Sequence, residues 1–208
     1  MNSTIASEVQ RQIKKAKPYK VYNVSVATFG ANSFSYDSGA AFSNLAGLIS
    51  TGSSISSRVG NCVRLQRLKW NLSFAAGDNT NIFRFLVLRA KGVNSVPTSA
   101  STMSASVFGG NTGSTQVYAP VDITVWDVLH DEFNELHYAP VDGSTATSIA
   151  VPRCSKGDIS LGNVKVNYSQ QASTVTSRKP IIILMVSDSA ASPHPGATGF
   201  LSLEWLDD

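Results

Sequence analysis

The side chains able to do covalent chemistry are few and spread apart. The chain has three histidines, His130, His137 and His194, and two cysteines, Cys62 and Cys154. None stands at a spacing from another that would present paired ligands to one zinc ion. His130 beside Asp131 has the residue types of an acid–base pair, but neighbouring side chains in extended chain point to opposite faces, and an exposed turn pair is the simpler reading. There is no glycine-rich phosphate loop closed by lysine, no dinucleotide fingerprint and no serine elbow. No catalytic residue is assigned, and no enzyme is expected.

Two charged groupings remain. Glu204, Asp207 and Asp208 cluster near the last residue, with Asp188 after an apolar run. Carboxylates of this kind either hold a structural calcium ion between subunits or form a solvated terminus. No other cofactor is expected. The second grouping is basic. Arg11, Lys14, Lys15, Lys17 and Lys20 face only Glu8 within the first twenty residues, a net +4 in a chain of net +3. All the excess positive charge therefore sits on an arm, residues 1–20, joined to a nearly neutral domain, residues 21–208. Such arms contact nucleic acid or anionic surfaces, or serve as solubilising tails.

The elements that must position these groups are mostly strands. Ser3 to Lys17 has the one good helical pattern: Ile5, Val9 and Ile13 form a stripe, Ser7 and Gln10 have capping-box spacing, and Pro18 ends it. A lone helix this short is marginal in water, so it either finds a partner or frays. Tyr19 to Phe29 alternates as a strand, and Phe34 to Leu45 is again extended. Val63 to Ala76 is a long strand whose apolar parity switches from Val63 and Leu65 to Leu68, Trp70, Leu72 and Phe74. One face stays buried across that switch only if an extra residue is absorbed near Gln66-Arg67 as a bulge. Ile82 to Leu88 is apolar on both parities except at Arg84, so it needs cover on both faces, from a second layer of the chain or from a neighbouring subunit.

Further along, Ser101 to Phe108 reads as a short helical turn. Ile123–His130 and Glu132–Tyr138 read as two strands joined by a turn at His130-Asp131. Residues from Asp142 to Pro152 read as a small-residue loop. A second parity change, between Leu161 and Val164, predicts a bulge at Gly162-Asn163. Ile181 to Val186 is a buried central strand, and Phe200 to Leu206 closes the chain with Leu201, Leu203 and Trp205 on one face. About eight strands with polar connections predict an all-β fold: an eight-stranded antiparallel jelly-roll sandwich with a short basic N-terminal helical arm.

Charged residues make up 15% of the chain, fewer than a soluble monomer usually carries, as expected when copies of the chain cover one another. Two cysteines are too few for a disulfide scaffold, and free thiols from a reducing compartment are expected. Met1-Asn2-Ser3-Thr4 leads into polar and basic residues, so no secretory signal is expected, and no apolar run is long enough to span a bilayer.

The order of segments resembles the single-jelly-roll coat proteins of satellite tobacco necrosis virus and of circular single-stranded DNA viruses. The resemblance is carried by the basic amphipathic start, Phe42-Ser43-Asn44-Leu45, Arg58-Val59-Gly60-Asn61 and Phe83-Arg84-Phe85-Leu86-Val87-Leu88-Arg89. Tyr118-Ala119-Pro120 and the late Ser187-Asp188-Ser189 complete it, and it covers about Glu8 to Leu206. It implies a viral capsid protein made in the host cell and found in the virion. It further implies self-assembly into a small icosahedral shell, sixty copies (T=1), around a single-stranded DNA or RNA genome, with no membrane partner. The genome-binding role would fall on Arg11, Lys14, Lys15, Lys17 and Lys20. The arm lacks the dense arginine run of many coat proteins of circular DNA viruses. Shell contacts would fall on apolar loop and edge residues, with Leu48, Ile49, Phe108, Val117 and Tyr118 as candidates. The alternative is a jelly-roll ligand-binding module of lectin or cytokine type.

Overall fold

A computed structural model describes residues 19–27, 35–37, 40–77, 80–92, 100–111, 114–141, 144–168, 180–189 and 195–208. The predicted helix over Ser3–Lys17 lies outside them. Among the described residues ten strands are formed, not the eight expected: β1 (Lys20–Ala27), β2 (Ser35–Asp37), β3 (Ala40–Asn44), β4 (Cys62–Ala75), β5 (Thr80–Ala90), β6 (Trp126–Val141), β7 (Ser144–Ala150), β8 (Arg153–Asn167), β9 (Ile181–Ser187) and β10 (Gly196–Asp207). They make two antiparallel sheets, one ordered β1-β10-β4-β8 and the other β2-β3-β9-β5-β6-β7. The pairs are nested. β1 pairs with β10, β3 with β9, β4 with β8 and β5 with β6.

The sheets pack face to face because β4, β5 and β10 turn regular apolar sets inward. Val63, Leu65, Leu68, Trp70, Leu72 and Phe74 from β4 meet Phe83, Phe85 and Val87 from β5, with Leu201, Leu203 and Trp205 from β10 completing this core. The parity switch in β4 is absorbed where predicted. Its register against β8 jumps between Leu65 and Arg67, and the extra residues on β8 are Gly162 and Asn163, both at positive φ (69° and 58°). One irregularity thus serves both predicted bulges, since each strand bends where its partner does.

Two expectations are corrected. His130 and Asp131 do not turn the chain but sit inside the continuous strand β6, and the local irregularity is a register shift opposite Val87/Leu88. A bulge changes side-chain parity just as a turn interrupts it, so the apolar pattern alone did not separate the two. The small-residue stretch before Pro152 contains β7, a sheet edge whose Ser-Thr-Ala-Thr-Ser-Ile-Ala sequence lacks the apolar alternation of a half-buried strand. β8 follows it directly, starting at Arg153.

Cover for the second face of β5 comes from the chain itself. Between β5 and β6 the chain forms a helix, Ala100–Val107, and a 3-10 turn, Ser114–Tyr118, that lie on the outer face of the six-stranded sheet. Met103, Val107, Phe108 and Val117 pack there on Leu86, Leu88, Leu184 and Val186 in a second core. Ser104 donates to the Gln116 side chain, joining the helix to the turn, and the Trp126 indole N–H donates to the Ser106 carbonyl.

Candidate nucleic-acid and subunit surfaces

Of the arm cations, Arg11, Lys14, Lys15 and Lys17 lie outside the described residues. Lys20 opens β1, and its ammonium is already engaged by the domain, donating to the Ser57 carbonyl at 2.7 Å and pairing with Asp207 at 2.7 Å. Its place is therefore structural: it ties the first strand to the last.

The predicted carboxylate cluster is separated in the same way. Asp208 accepts a forked pair of bonds from Arg64 (2.7 and 3.1 Å) and a contact from Lys165 at 2.8 Å. Glu204 is taken by Lys69, and Asp188 accepts from the Ile82 backbone N–H at 2.9 Å on the other sheet. Among the described residues no three His, Cys, Asp or Glu side chains are grouped to hold a metal ion. Both thiols are free. Burial, followed by the hydrogen bond to Asp208, pushes the Cys62 thiol above its ordinary pKa.

Hydrogen bonds from Arg64 and then Lys165 hold the Asp208 carboxyl well below the usual carboxylate range, and the same bond raises Arg64. A carboxyl whose pKa is lowered by folding stabilises the fold above its unfolded value, about 3.9, and loses that contribution as pH falls through the folded value. Asp208→Asn is therefore expected to lower the thermal midpoint by about 2–4 °C at pH 6, with the gap to the parent closing as pH drops below about 4. A gap that is constant with pH would place the effect elsewhere.

The five apolar contact candidates divide sharply. Ile49, Phe108 and Val117 are buried in the protein's own cores, and Leu48 is half-buried against the inter-sheet core. Tyr118 alone of the five is exposed, at 61%. Loop position did not predict exposure because this loop is itself a packed layer. Exposed large apolar side chains include Tyr19, Ile55 and Val59 near the start of β1, and Ile123, Val128 and Phe133 on the covered side of the six-stranded sheet.

His130 and Asp131 point to opposite faces of β6, as the extended chain requires. Asp131 goes outward to Arg84. His130 goes inward, packing on Trp70 (ring centroids 4.6 Å apart) and meeting Glu132 at 3.2 Å. Glu132 also accepts from the Ser155 hydroxyl, which in turn accepts the Trp70 indole N–H at 2.9 Å. Serine, histidine and acid are thus together, but in the wrong order to activate a nucleophile: the hydroxyl proton is held by the carboxylate, and His130 shares that oxygen. The arrangement satisfies polar groups at the open side of the sandwich.

Two buried arginines went unassigned by sequence reasoning. Arg84 is flagged in the sequence as the one break in an apolar strand. Its guanidinium binds Asp131 at 2.8 and 2.7 Å, donates to the carbonyls of Val117 and Ala119, and lies 4.5 Å from the Phe133 ring centroid. Arg58, of the Arg-Val-Gly-Asn segment, is 1% exposed, donates to the Gly60 carbonyl and stacks on the Tyr168 ring at 3.6 Å. Burial raises the pKa of the Tyr168 phenol well above its usual value. Tyr168 also donates its backbone N–H to the Asn61 carbonyl, so this segment clips the start of β4 to the end of β8.

No family model matches the chain, and a search of curated proteins finds no match.

Proposed function

We propose that the protein is a coat protein that assembles copies of itself into a small closed shell, sixty chains of one type, around a single-stranded nucleic acid. The observation that carries this reading is the nested strand order. Two sheets ordered β1-β10-β4-β8 and β3-β9-β5-β6, with β2 and β7 as additions at the rims, support the reading of a jelly roll, an architecture widely used for viral shells. The order of segments that resembles the satellite-virus and circular-DNA-virus coat proteins supports it, as does the basic arm that enters the domain at the edge strand β1. Low charge and scattered exposed apolar side chains suit a surface that neighbouring copies cover. The helical arm and its contact with the genome belong to the same proposal. Each arm binds weakly alone, while arms held on one shell act together through effective concentration.

Electron microscopy of the purified chain is expected to show uniform closed particles. A monomer at every salt concentration and pH would overturn the reading in favour of a ligand-binding module. Deleting Met1–Lys17, which spares the Lys20–Asp207 pair, is expected to leave particles that carry much less co-purifying nucleic acid, read from ultraviolet absorbance. An unchanged absorbance ratio would remove the arm from that role.

A further inference from the structure

The four-stranded sheet has an outer face that no other described residues cover, and its chemistry is not that of a neutral solvated surface. Two cross-strand rows run over β10, β4 and β8: Phe200, Asn71 and Lys156 in register, then Ser202, Lys69 and Asp158. Together they line a cleft of about 540 Å³. Phe200 is 61% exposed, an unusual position for a phenylalanine in the middle of a strand. Lys69 and Asp158 are balanced by Glu204 and Arg67. Among the described residues Lys156 has no carboxylate partner. Counting the adjoining Arg64, Lys165 and Asp208, the face holds five cations against three carboxylates. The basic arm joins the chain at β1, the edge strand of this same sheet.

We propose that this cleft is a second site for single-stranded nucleic acid, in which an unpaired base stacks on Phe200 while Lys156 holds the adjoining phosphate. Non-specific single-strand sites are built from these parts: an aromatic platform, which accepts any base because every base has a π-face, beside cations that follow the backbone. Neighbouring strands lie ~4.8 Å apart, so Phe200 and Lys156, two strands apart, are separated by roughly 10 Å, a span one nucleotide and its phosphate can bridge. Asn71 stands between them, with an amide that can both donate to and accept from a base edge. The site rests on the coat-protein reading and sets the orientation of the subunit: the four-stranded sheet faces the shell's interior.

The test uses the full chain freed of nucleic acid at high salt, with fluorescence anisotropy on short labelled oligothymidylate, oligouridylate and a duplex of the same length. Phe200→Ala is expected to weaken binding to single strands about tenfold, with an unchanged salt slope and an unchanged thermal midpoint. Lys156→Gln is expected to reduce the magnitude of the salt slope by about 0.7, one phosphate contact. The thymidine and uridine arms show whether a DNA or an RNA strand is preferred. Parent-like affinity in both variants, or an equal loss on duplex, overturns the site. Electron microscopy of the same variants separates the two failures. Closed particles from a chain whose oligonucleotide binding ignores both substitutions sink the cleft alone. Cleft-dependent binding by a chain that never assembles sinks the coat reading alone.

Discussion

Replacing Arg84 by alanine is expected to lower the thermal midpoint by roughly 6–20 °C. The side chain is 5% exposed and holds the Asp131 carboxylate in a two-pronged bond while donating to the backbone carbonyls of Val117 and Ala119. Removing one partner of a buried ion pair costs about 3–5 kcal/mol, because the groups left behind keep their desolvation penalty without their bonds. At this chain length each kcal/mol corresponds to about 2–4 °C. Asp131 is 28% exposed and recovers some hydration, which places the result toward the lower end. Arg84→Lys is expected to fall between, since a point charge cannot fork onto the carboxylate and also reach two carbonyls. The double variant Arg84→Met, Asp131→Leu should regain part of the loss, because it buries no orphaned charge. Hydrogen exchange would locate the effect: protection should fall first over Ala100–Tyr118, the layer that Arg84 ties to the sheet. A parent-like midpoint for Arg84→Ala would show that apolar packing alone holds that layer.

Gly199→Ala is expected to cost about 2–6 kcal/mol and to yield little soluble protein, although it adds one methyl group. Gly199 lies in β10 at φ 134°, a conformation L side chains rarely adopt. A Cβ there would sit 2.2 Å from the Asn71 carbonyl oxygen and 3.0 Å from Leu72 Cα. Both obstacles are backbone of the central strand β4, so no side-chain rotation relieves them. Gly110→Ala is the control. Its φ is also positive, at 90°, but nothing lies within 4 Å of the added atom, so only the backbone strain of ~1–3 kcal/mol remains. Equal midpoints for the two variants, measured by calorimetry, would show that β10 and β4 can separate at little cost. The prediction for Gly199 would then fail.

Both effects come from contacts between strands distant in sequence, and this marks where sequence reasoning reached its limit. In β4 the alternation was legible to the residue, because every second side chain faces a core that excludes water, and a one-residue slip exposes the whole set. The same rule located the bulge at Gln66-Arg67 and its counterpart at Gly162-Asn163. It failed in β6 and β7. β6 carries polar residues on both faces, His130 and Glu132 inward and Asp131 and Glu135 outward, and β7 is an edge of small polar residues. With no sharp contrast between faces, strand, turn and loop look alike.

The sites divide along the same line. That Ile82–Leu88 needs cover on both faces followed from its composition. That the cover is the chain's own helix and 3-10 turn depended on a fold-back that no local pattern encodes. Ile49, Phe108 and Val117 looked like contact residues because they are apolar and lie in loops, yet Ile49 is spent in the inter-sheet core and Phe108 and Val117 in the layer packed on the six-stranded sheet. Phe200 was legible as the strand residue out of phase with Leu201, Leu203 and Trp205. Its neighbours in the cleft, Asn71 and Lys156, are 129 and 44 residues away along the chain and reach it only through strand register.

By itself the sequence determined an all-β chain, most of its strands, two places where they bend, and an excess of positive charge within the first twenty residues. Water exclusion acts on each residue separately, so its imprint is local and readable. Only the tertiary structure decided which strands are neighbours. It thereby decided which charges cancel at Asp207 and Asp208, which apolar side chains are spent inside, and which cation and aromatic ring are left facing outward on one sheet. Those outcomes depend on pair distances across the fold, and no single stretch of chain specifies them.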